Sequence, residues 1–458
     1  MSAAAVSLKP ETFEAVRHIA RALNTHGFET CVVGGAVRDM VSGRTPADVD
    51  LVTTATFDEL TTVFPEAKLS GACFGVTRLR EGGAEFEIAS ARKERGSMDG
   101  RHPETVKFTR DLDEDALRRD FTVNAMRWDP LTGRIADPAG GLDDLAHGLI
   151  RTVGDPSERF EEDYLRMLRA VRFACTLDFV IEEKTFAAIC ALAPRCASLS
   201  GERIREEVTR MLVCRFPEKA LRLLSATGIL RAILPEVEAM RGVRQPQEFH
   251  PEGDVFEHTC LLLRHMVLPD ELLAWSALLH DTGKPGTAST DPDGRIRFFG
   301  HEELGERIVC AVAGRLRFST AAKEAVAHAV RNHMRMASVR EMREAKLKKL
   351  ISEEHFDVEL ELHRLDCISS HGGMETFTFL VDQLRRTPQR TLPRPWVMGR
   401  DLVAAGFSPG PAFKTVLDSV FDRQLAGEFP DRAAALEFAC GLLRTCAASC
   451  NDTRQKTS

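Results

Sequence analysis

Asp48 and Asp50 flank Val49 in a short β-branched run. If Val49–Val52 is a strand, the alternation of side chains turns both carboxylates to one face and Val49 and Leu51 to a core. Two carboxylates that close repel unless a cation lies between them. A pair of Mg2+ ions there would activate an attacking hydroxyl and neutralise charge on a triphosphate. Such a site needs a third carboxylate. Glu87 is the best candidate, because it faces, like Glu85, away from Phe86 and Ile88. Upstream, Gly34-Gly35-Ala36-Val37-Arg38-Asp39 follows one strand pattern and opens a helix pattern. The backbone N–H groups at Gly34 and Gly35 and the helix N-terminus would cradle a triphosphate. Arg38 would add a charge-assisted contact. Taken singly, the Gly-Gly turn is equally well explained by sterics and the aspartates by turns or caps. Their combination in this order points to nucleotidyl transfer.

A second constellation consists of imidazoles and carboxylates: His258, His280-Asp281, His301, His333 and Asp366. The His280-Asp281 pair ends an apolar helix pattern, Leu272–Leu279, and Thr282-Gly283-Lys284-Pro285 stops it. An adjacent His and Asp at a helix end can both reach one metal, and the donor set suits Mn, Ni, Fe or Mg. A single His on an apolar helix is more often a packed core residue. A third pair, Asp163 and Arg166, lies three residues apart and so on one helix face. It offers acceptors and donors to the Watson–Crick edge of a base. Alone, it reads equally as a surface ion pair worth a few tenths of a kcal/mol.

The elements that must hold these residues follow from periodicity. Residues 11–26 form a helix between Pro10 and Gly27, Thr30–Val33 a strand, Ala36–Val41 a helix, and Gly75–Ser90 a hairpin turning at Gly82-Gly83. From Pro156 the pattern is helical to about Ile233, Gln245–Gly253 reads as a linker, and residues 255–370 are helical again. A Pro/Arg-rich break at Arg385–Pro395 precedes a last helical segment, and Asn451–Ser458 reads as a disordered tail. The expected class is α+β: a small mixed-sheet head over 1–150, a helical neck and body over 151–245, a metal-binding helical domain over 246–375 and a C-terminal helical segment over 376–450.

At 458 residues the chain exceeds one ordinary core. Its longest apolar runs fall far short of the roughly 20 residues that span a bilayer. No secretory signal stands at Met1–Pro10, and the twelve Cys show no CxxC pairs, which together favour a cytoplasmic location. A net charge of −7 argues against wrapping nucleic acid with the whole surface but leaves room for local basic patches. Two exist: Arg340, Arg343, Lys346, Lys348 and Lys349, then Arg385, Arg386, Arg390, Arg394 and Arg400.

Four motifs stand in a familiar order: GGAVRD with DVD, then Arg118-Arg119-Asp120-Phe121 with Asn124, then Glu162-Asp163-Tyr164-Leu165-Arg166. The chain resembles the class II nucleotidyltransferases, comprising CCA-adding tRNA nucleotidyltransferases and bacterial poly(A) polymerases. The resemblance implies a polymerase-β-like head. It further implies ribose contacts from the RRDF element, base selection by Asp163 and Arg166, and nucleotide contacts from Arg169 and Arg172. It implies that Ala91–Phe108, with Arg92, Lys93, Arg95, Gly96, Asp99, Gly100, Arg101 and His102, is a mobile loop that helps switch from C to A. The His/Asp series is similar to that of HD phosphohydrolases, and Gly399–Pro411 to a tRNA-binding end. The implied activity is addition of CCA to the tRNA 3′ end from CTP and ATP, by a monomer or homodimer with no membrane contact. An A-adding enzyme or poly(A) polymerase is the alternative. An HD phosphohydrolase whose head only binds nucleotide is the alternative of another class.

Overall fold

The structure, a computed structural model, describes residues 8–69, 75–97, 103–248, 250–251, 253–267, 269–387 and 389–455. These form two compact units. One runs to Val243 and takes in Asp254–Leu278 and Cys310–Lys323; the other comprises Arg244–Gly253, Leu279–Val309 and the chain from Glu324.

The first unit opens with the helix Pro10–Thr25, whose proline occupies the first turn where its missing N–H costs nothing. Its buried stripe of Val16, Ile19 and Leu23 packs into the core of a seven-stranded mixed sheet. The strands are β1 Thr30–Val33, β2 Asp50–Thr53, β3 Lys68–Leu69, β4 Val76–Glu81 and β5 Ala84–Ser90, completed by two short ones beyond a separate ribbon. The ribbon is β6 Arg92–Ser97 with β7 Pro103–Phe108, and the short strands are β8 Arg127–Trp128 and β9 Ile135–Ala136. The sheet order is β3-β4-β5-β2-β1-β8-β9. In β5, Phe86 and Ile88 are buried while Glu85 and Glu87 face solvent, as alternation predicts. Burying side chains of this kind contributes about 1.5–3 kcal/mol each, which fixes the register and hence the direction of Glu87.

Two expectations change here. Only Asp50 belongs to β2; Asp48 lies in the approach to it, so the two are not alternate residues of one strand. The stretch Ala91–Phe108 is not an irregular loop where it is described: β6 and β7 pair antiparallel, Arg92 opposite Phe108. Backbone pairing overrides the charged composition that suggested a loop. Asp99, Gly100, Arg101 and His102 lie outside the described residues.

The rest of this unit is helical apart from a short parallel pair, Leu149–Ile150 with Val180–Ile181. Pro156–Glu162, Leu165–Thr176, Glu183–Leu192, Gly201–Leu212 and Pro217–Ala226 follow one another. Trp275 is tied to them by donating from Nε1 to Thr209 Oγ1 (2.9 Å).

The second unit is built around two apolar clusters. Met336, Leu350, Phe356 and Leu380 form one; Leu402, Val416, Val420, Ala435 and Ala439 form the other. The second cluster joins the helices Gly399–Ala404, Pro411–Leu425 and Arg432–Gln455. Residues 451–455, read as disordered from their polarity, continue that last helix, and 456–458 lie outside the described residues. Both basic clusters are partly taken up by internal contacts. Lys348 donates to the Leu425 carbonyl, Lys349 pairs with Asp422, Arg385 with Asp382 and Arg390 with Asp357.

Candidate active site and metal centre

The head site forms where β1, β2 and β5 meet. Val33 pairs with Asp50 across the antiparallel ladder, so the chain leaves β1 into Gly34 beside that aspartate. The parallel register of β2 and β5 sets Leu51 opposite Ile88, which brings Asp50 and Glu87 to the same level on neighbouring strands. Their charges meet. Although Asp50 reaches solvent, local burial pushes its carboxyl up, and Glu87 and Asp48 add to this while Arg119 opposes. Mutually repelling carboxylates with acceptor oxygens fit a divalent cation. Glu87 is held by Arg78 from β4 (Nε–Oε1 3.1 Å).

Gly34 adopts φ +70°, ψ −141°, a backbone conformation that β-carbon-bearing residues rarely take. A β-carbon there would lie 3.5 Å from Arg119 Nη1, so Arg119 reaches over this turn. Arg38, expected to contact phosphate, lies against the second glycine of the turn, its Nη2 3.3 Å from where a Gly35 β-carbon would stand. It is buried, donating to Asp39 Oδ1 (2.9 and 3.1 Å) and to Asn124 Oδ1 (2.8 Å). The cation over Gly34 itself is Arg119.

The RRDF arginines share an anchor that motif reading missed. Asp115, fully buried, accepts from Arg118 (2.8 and 2.9 Å) and from Arg119 (3.5 Å), and also from the backbone N–H of Arg92 at the base of the ribbon (3.2 Å). Its position three and four residues before the arginines was the available signal.

Asp120 faces the neck. It accepts from Arg169 (2.8 Å), from Asn124 (3.2 Å) and from the Phe121 N–H (2.8 Å). Burial opposes its ionisation, but the Arg169 charge and these hydrogen bonds outweigh it and hold the carboxyl below the usual range. Arg38, Asn124, Asp120 and Arg169 thus form one chain of contacts from turn to neck. Arg172 pairs with the buried Glu207 (2.6 Å) and lies over the Phe173 ring (4.1 Å).

Arg169→Ala strands Asp120 without its main counter-charge. Breaking a buried pair costs about 3–5 kcal/mol, and the lower end is expected because Arg169 is 32% exposed. The sign with pH follows from the depressed carboxyl. The pair's stability is complete above the unfolded carboxyl value of about 4 and is lost as pH falls through the lower folded value. The gap in urea midpoint between parent and variant, full at pH 7, should therefore close in the acid limb; a constant gap would contradict this.

Asp163 and Arg166 do not share a helix face. Asp163 is extended, at the break between Pro156–Glu162 and Leu165–Thr176, and accepts from the Leu165 N–H (3.0 Å) at the start of the second helix. Arg203 grips it (2.8 and 3.1 Å), while Arg166 binds Glu162 (2.5 Å) and the Arg159 carbonyl (2.9 Å). Arg203 and Glu207 sit on a helix some 40 residues downstream, so no local spacing announced them.

In the second unit, Asp281, His301 and His333 offer one ligand atom each within 4.8 Å of one another. All three are buried. His301 Nδ1 faces the Phe298 carbonyl (2.8 Å) and His333 Nδ1 the Val330 carbonyl (2.6 Å). A carbonyl only accepts, so both Nδ1 atoms carry the hydrogen and both Nε2 atoms present lone pairs. Those two Nε2 atoms stand 3.1 Å apart. Burial, then His280 and His301, push the His333 imidazole down to about 4, against Asp281, so it is neutral at pH 7. Lone pairs facing each other beside a carboxylate fit a divalent metal. His280 and Asp366 offer atoms within 4.8 Å of each other. His258 is fully buried on Val255–Arg264, in the first unit, and its inclusion rests on its place in the motif. Lys284, unflagged by the motif, bridges Asp281 (2.7 Å) and Gln245 (2.7 Å).

Comparison with known proteins fits this layout. Residues 30–151 match the poly A polymerase head domain, 178–241 the probable RNA- and SrmB-binding site of polymerase A, and 254–360 the HD domain. A CCA-adding enzyme of Levilactobacillus brevis is 31% identical over 427 residues, covering 93% of this chain and 97% of its own. The chain belongs to the CCA-adding enzymes. A CCA-adding enzyme of Geobacillus thermodenitrificans is 43% identical over 222 residues, 48% of this chain and 54% of its own. The crystal structure of the Bacillus stearothermophilus CCA-adding enzyme in complex with CTP superposes with a TM-score of 0.71 at 25% identity, covering 98% of this chain and all of that one. A Thermotoga maritima CCA-adding enzyme complexed with tRNA shares the fold at a TM-score of 0.61 and 20% identity, over 95% of this chain and 96% of its own. Among the described residues no helix is long and apolar enough to cross a membrane.

Proposed function

We propose that this CCA-adding enzyme extends the tRNA 3′ end with C, C and A from CTP and ATP in the cytoplasm, releasing pyrophosphate. The observation that carries the reading is the meeting of Asp50 with Glu87 and Asp48 beside the Gly34 turn, under Arg119. Asp48, Asp50 and Glu87 would hold Mg2+, which supplies an activated 3′-hydroxyl and charge neutralisation on the triphosphate. Around it, the N–H groups of the Gly34-Gly35 turn and the Arg119 guanidinium bind phosphate, and Arg118, Asp120 and Asn124 meet the ribose. Arg38 acts through Asn124 as a positioning residue. Asp163 and Arg166 read the base edge, with Arg169 and Arg172 stiffening their helix. The division into head (1–150), neck and body (151–245), HD domain (246–375) and tRNA-binding end (376–450) belongs to the same proposal.

The test supplies purified protein with tRNA lacking CCA and, separately, tRNA ending in CC, with CTP and ATP alone and together. Two C and one A on the first substrate is the expected result. Incorporation of A alone, and only onto the CC end, would overturn it in favour of an A-adding enzyme.

The facing lone pairs of His301 and His333 favour a second activity in the other unit. It is hydrolysis of a phosphoester at a divalent metal (Mn, Ni, Fe or Mg) held by His280, Asp281, His301, His333 and Asp366, with His258 by motif.

A further inference from the structure

Two thiols of the first unit take no part in the chemistry proposed above. Cys175 is fully buried near the end of the helix Leu165–Thr176, and Cys214 lies half-buried just past Gly201–Leu212. These helices pack against each other, and two ion pairs set their register. Arg203 holds Asp163 (2.8 Å) and Arg172 holds Glu207 (2.6 Å). Residue numbers rise together along the two helices, so the next turn brings Cys175 level with Cys214.

The sulfurs meet there. The Cys175 S–H is shared between the Arg172 carbonyl (3.1 Å) and the Cys214 sulfur. Cys214 accepts a second hydrogen bond from the Phe216 N–H (3.4 Å). The bond from Cys175, with that from Phe216, outweighs burial and holds the Cys214 thiol below its ordinary value. The same bond, then burial, push Cys175 up. Cys31, Cys196, Cys260 and Cys367 differ: each is buried, and burial pushes its thiol up. Cys214 is thus an accessible nucleophile with a second sulfur directly behind it.

We propose that Cys175 and Cys214 are a redox modification site: a hydroperoxide joins them in a reversible disulfide that suppresses nucleotide incorporation. The Cys214 thiolate attacks one oxygen of hydrogen peroxide, the O–O bond breaks, and a sulfenic acid forms. The departing hydroxide takes up the proton that Cys214 had released, giving water. The Cys175 sulfur then attacks Cys214. The S–S bond forms, the S–O bond breaks, and the oxygen leaves as a second water with the Cys175 proton. Two thiols lose two electrons, and the peroxide gains them. A sulfur–sulfur bond is about 2.05 Å long, shorter than any thiol hydrogen bond, so its formation draws the helix ends together. Arg172 lies one turn before Cys175, and Arg169 one turn before that. A shift of about 1 Å at such groups can cost about 100-fold in rate. The loss of rate rests on the nucleotide-contact reading above; the disulfide does not.

In the test, the whole chain, reduced and freed of reductant, is treated with hydrogen peroxide, and its peptides are mapped by mass without reduction. A peptide pair joined through Cys175 and Cys214 is expected. Incorporation from CTP onto tRNA lacking CCA should fall at least about tenfold in the same sample and return with dithiothreitol. Cys214→Ser should incorporate at the parent's rate before and after peroxide. The parent's own peptide map decides the linkage independently of how well that variant folds. Oxidation of Cys214 without a bond to Cys175 overturns the site, and a complete linkage with unchanged rate overturns the suppression. An equal loss of rate in Cys214→Ser and the parent overturns it too. The mass is read whether or not the reduced chain incorporates nucleotide, so the disulfide and the proposed function fail separately.

Discussion

Asp50→Asn is expected to slow nucleotide incorporation by about 1,000-fold or more while leaving tRNA affinity unchanged. The substitution keeps the side-chain shape and removes the charge. A metal site stabilises developing charge by several kcal/mol, and each 1.4 kcal/mol is tenfold in rate. The neighbours make this position unusually sensitive: Glu87 and Asp48 already disfavour the Asp50 carboxylate. Removing its charge relieves repulsion, so the fold should be no less stable even as the chemistry is lost. Single-turnover extension of tRNA ending in CC, with filter binding of the same tRNA, separates the two. A rate within tenfold of the parent, or a matching loss of tRNA affinity, would contradict the assignment.

Gly283→Ala should empty the other site. A β-carbon at Gly283 would stand 2.0 Å from the His301 carbonyl oxygen and 2.8 Å from the Gly305 nitrogen. Both are backbone atoms of the helix His301–Arg315, so no rotamer change can make room. Gly305 packs the same contact from the other side, its own β-carbon position 3.7 Å from the His280 carbonyl. This close approach is what brings His301 to Asp281, a carboxylate only two residues before Gly283. Displacing the helix is expected to destabilise this region by about 4–5 kcal/mol and to abolish metal retention. Nucleotide incorporation should persist, because none of the residues proposed to bind the head metal or the nucleotide lies in the second unit, which holds the proposed tRNA-binding end. Metal content after dialysis and the extension assay on one preparation give both readouts. Full metal content in the variant would show that the backbone contact is dispensable.

The head could be read closely from sequence because its signals are local. Alternation across Glu85–Ile88 and the Gly34-Gly35 break each depend on residues a few positions apart, and β1, β5 and the facing of Glu85 and Glu87 follow. The strand expected at Val49–Val52 runs instead from Asp50 to Thr53, a shift of one residue at ends where boundaries are least determined. The contact of Arg38 with Asn124 was not legible because the two are 86 positions apart, beyond any spacing rule. The same reason hid Arg203 from Asp163. The ribbon of β6 and β7 was read as a loop because pairing between strands leaves no mark in charge composition. The six HD residues could be proposed because a metal site demands particular residue types. Lys284, which bridges two of the elements around them, carries no such demand.

The arrangement of Asp163 and Arg166 has a consequence for fidelity. Each already has an internal partner, Arg203 for the aspartate and Glu162 for the arginine. A ligand that takes the donor and acceptor sites those partners hold must displace them, and they then act as a tethered competitor. A base able to satisfy both groups replaces two ion pairs with two sets of hydrogen bonds. One that satisfies a single group leaves the other still clasped, and the half-formed complex reverts. Discrimination of this kind is a ratio of affinities, set by the strength of contacts inside the protein.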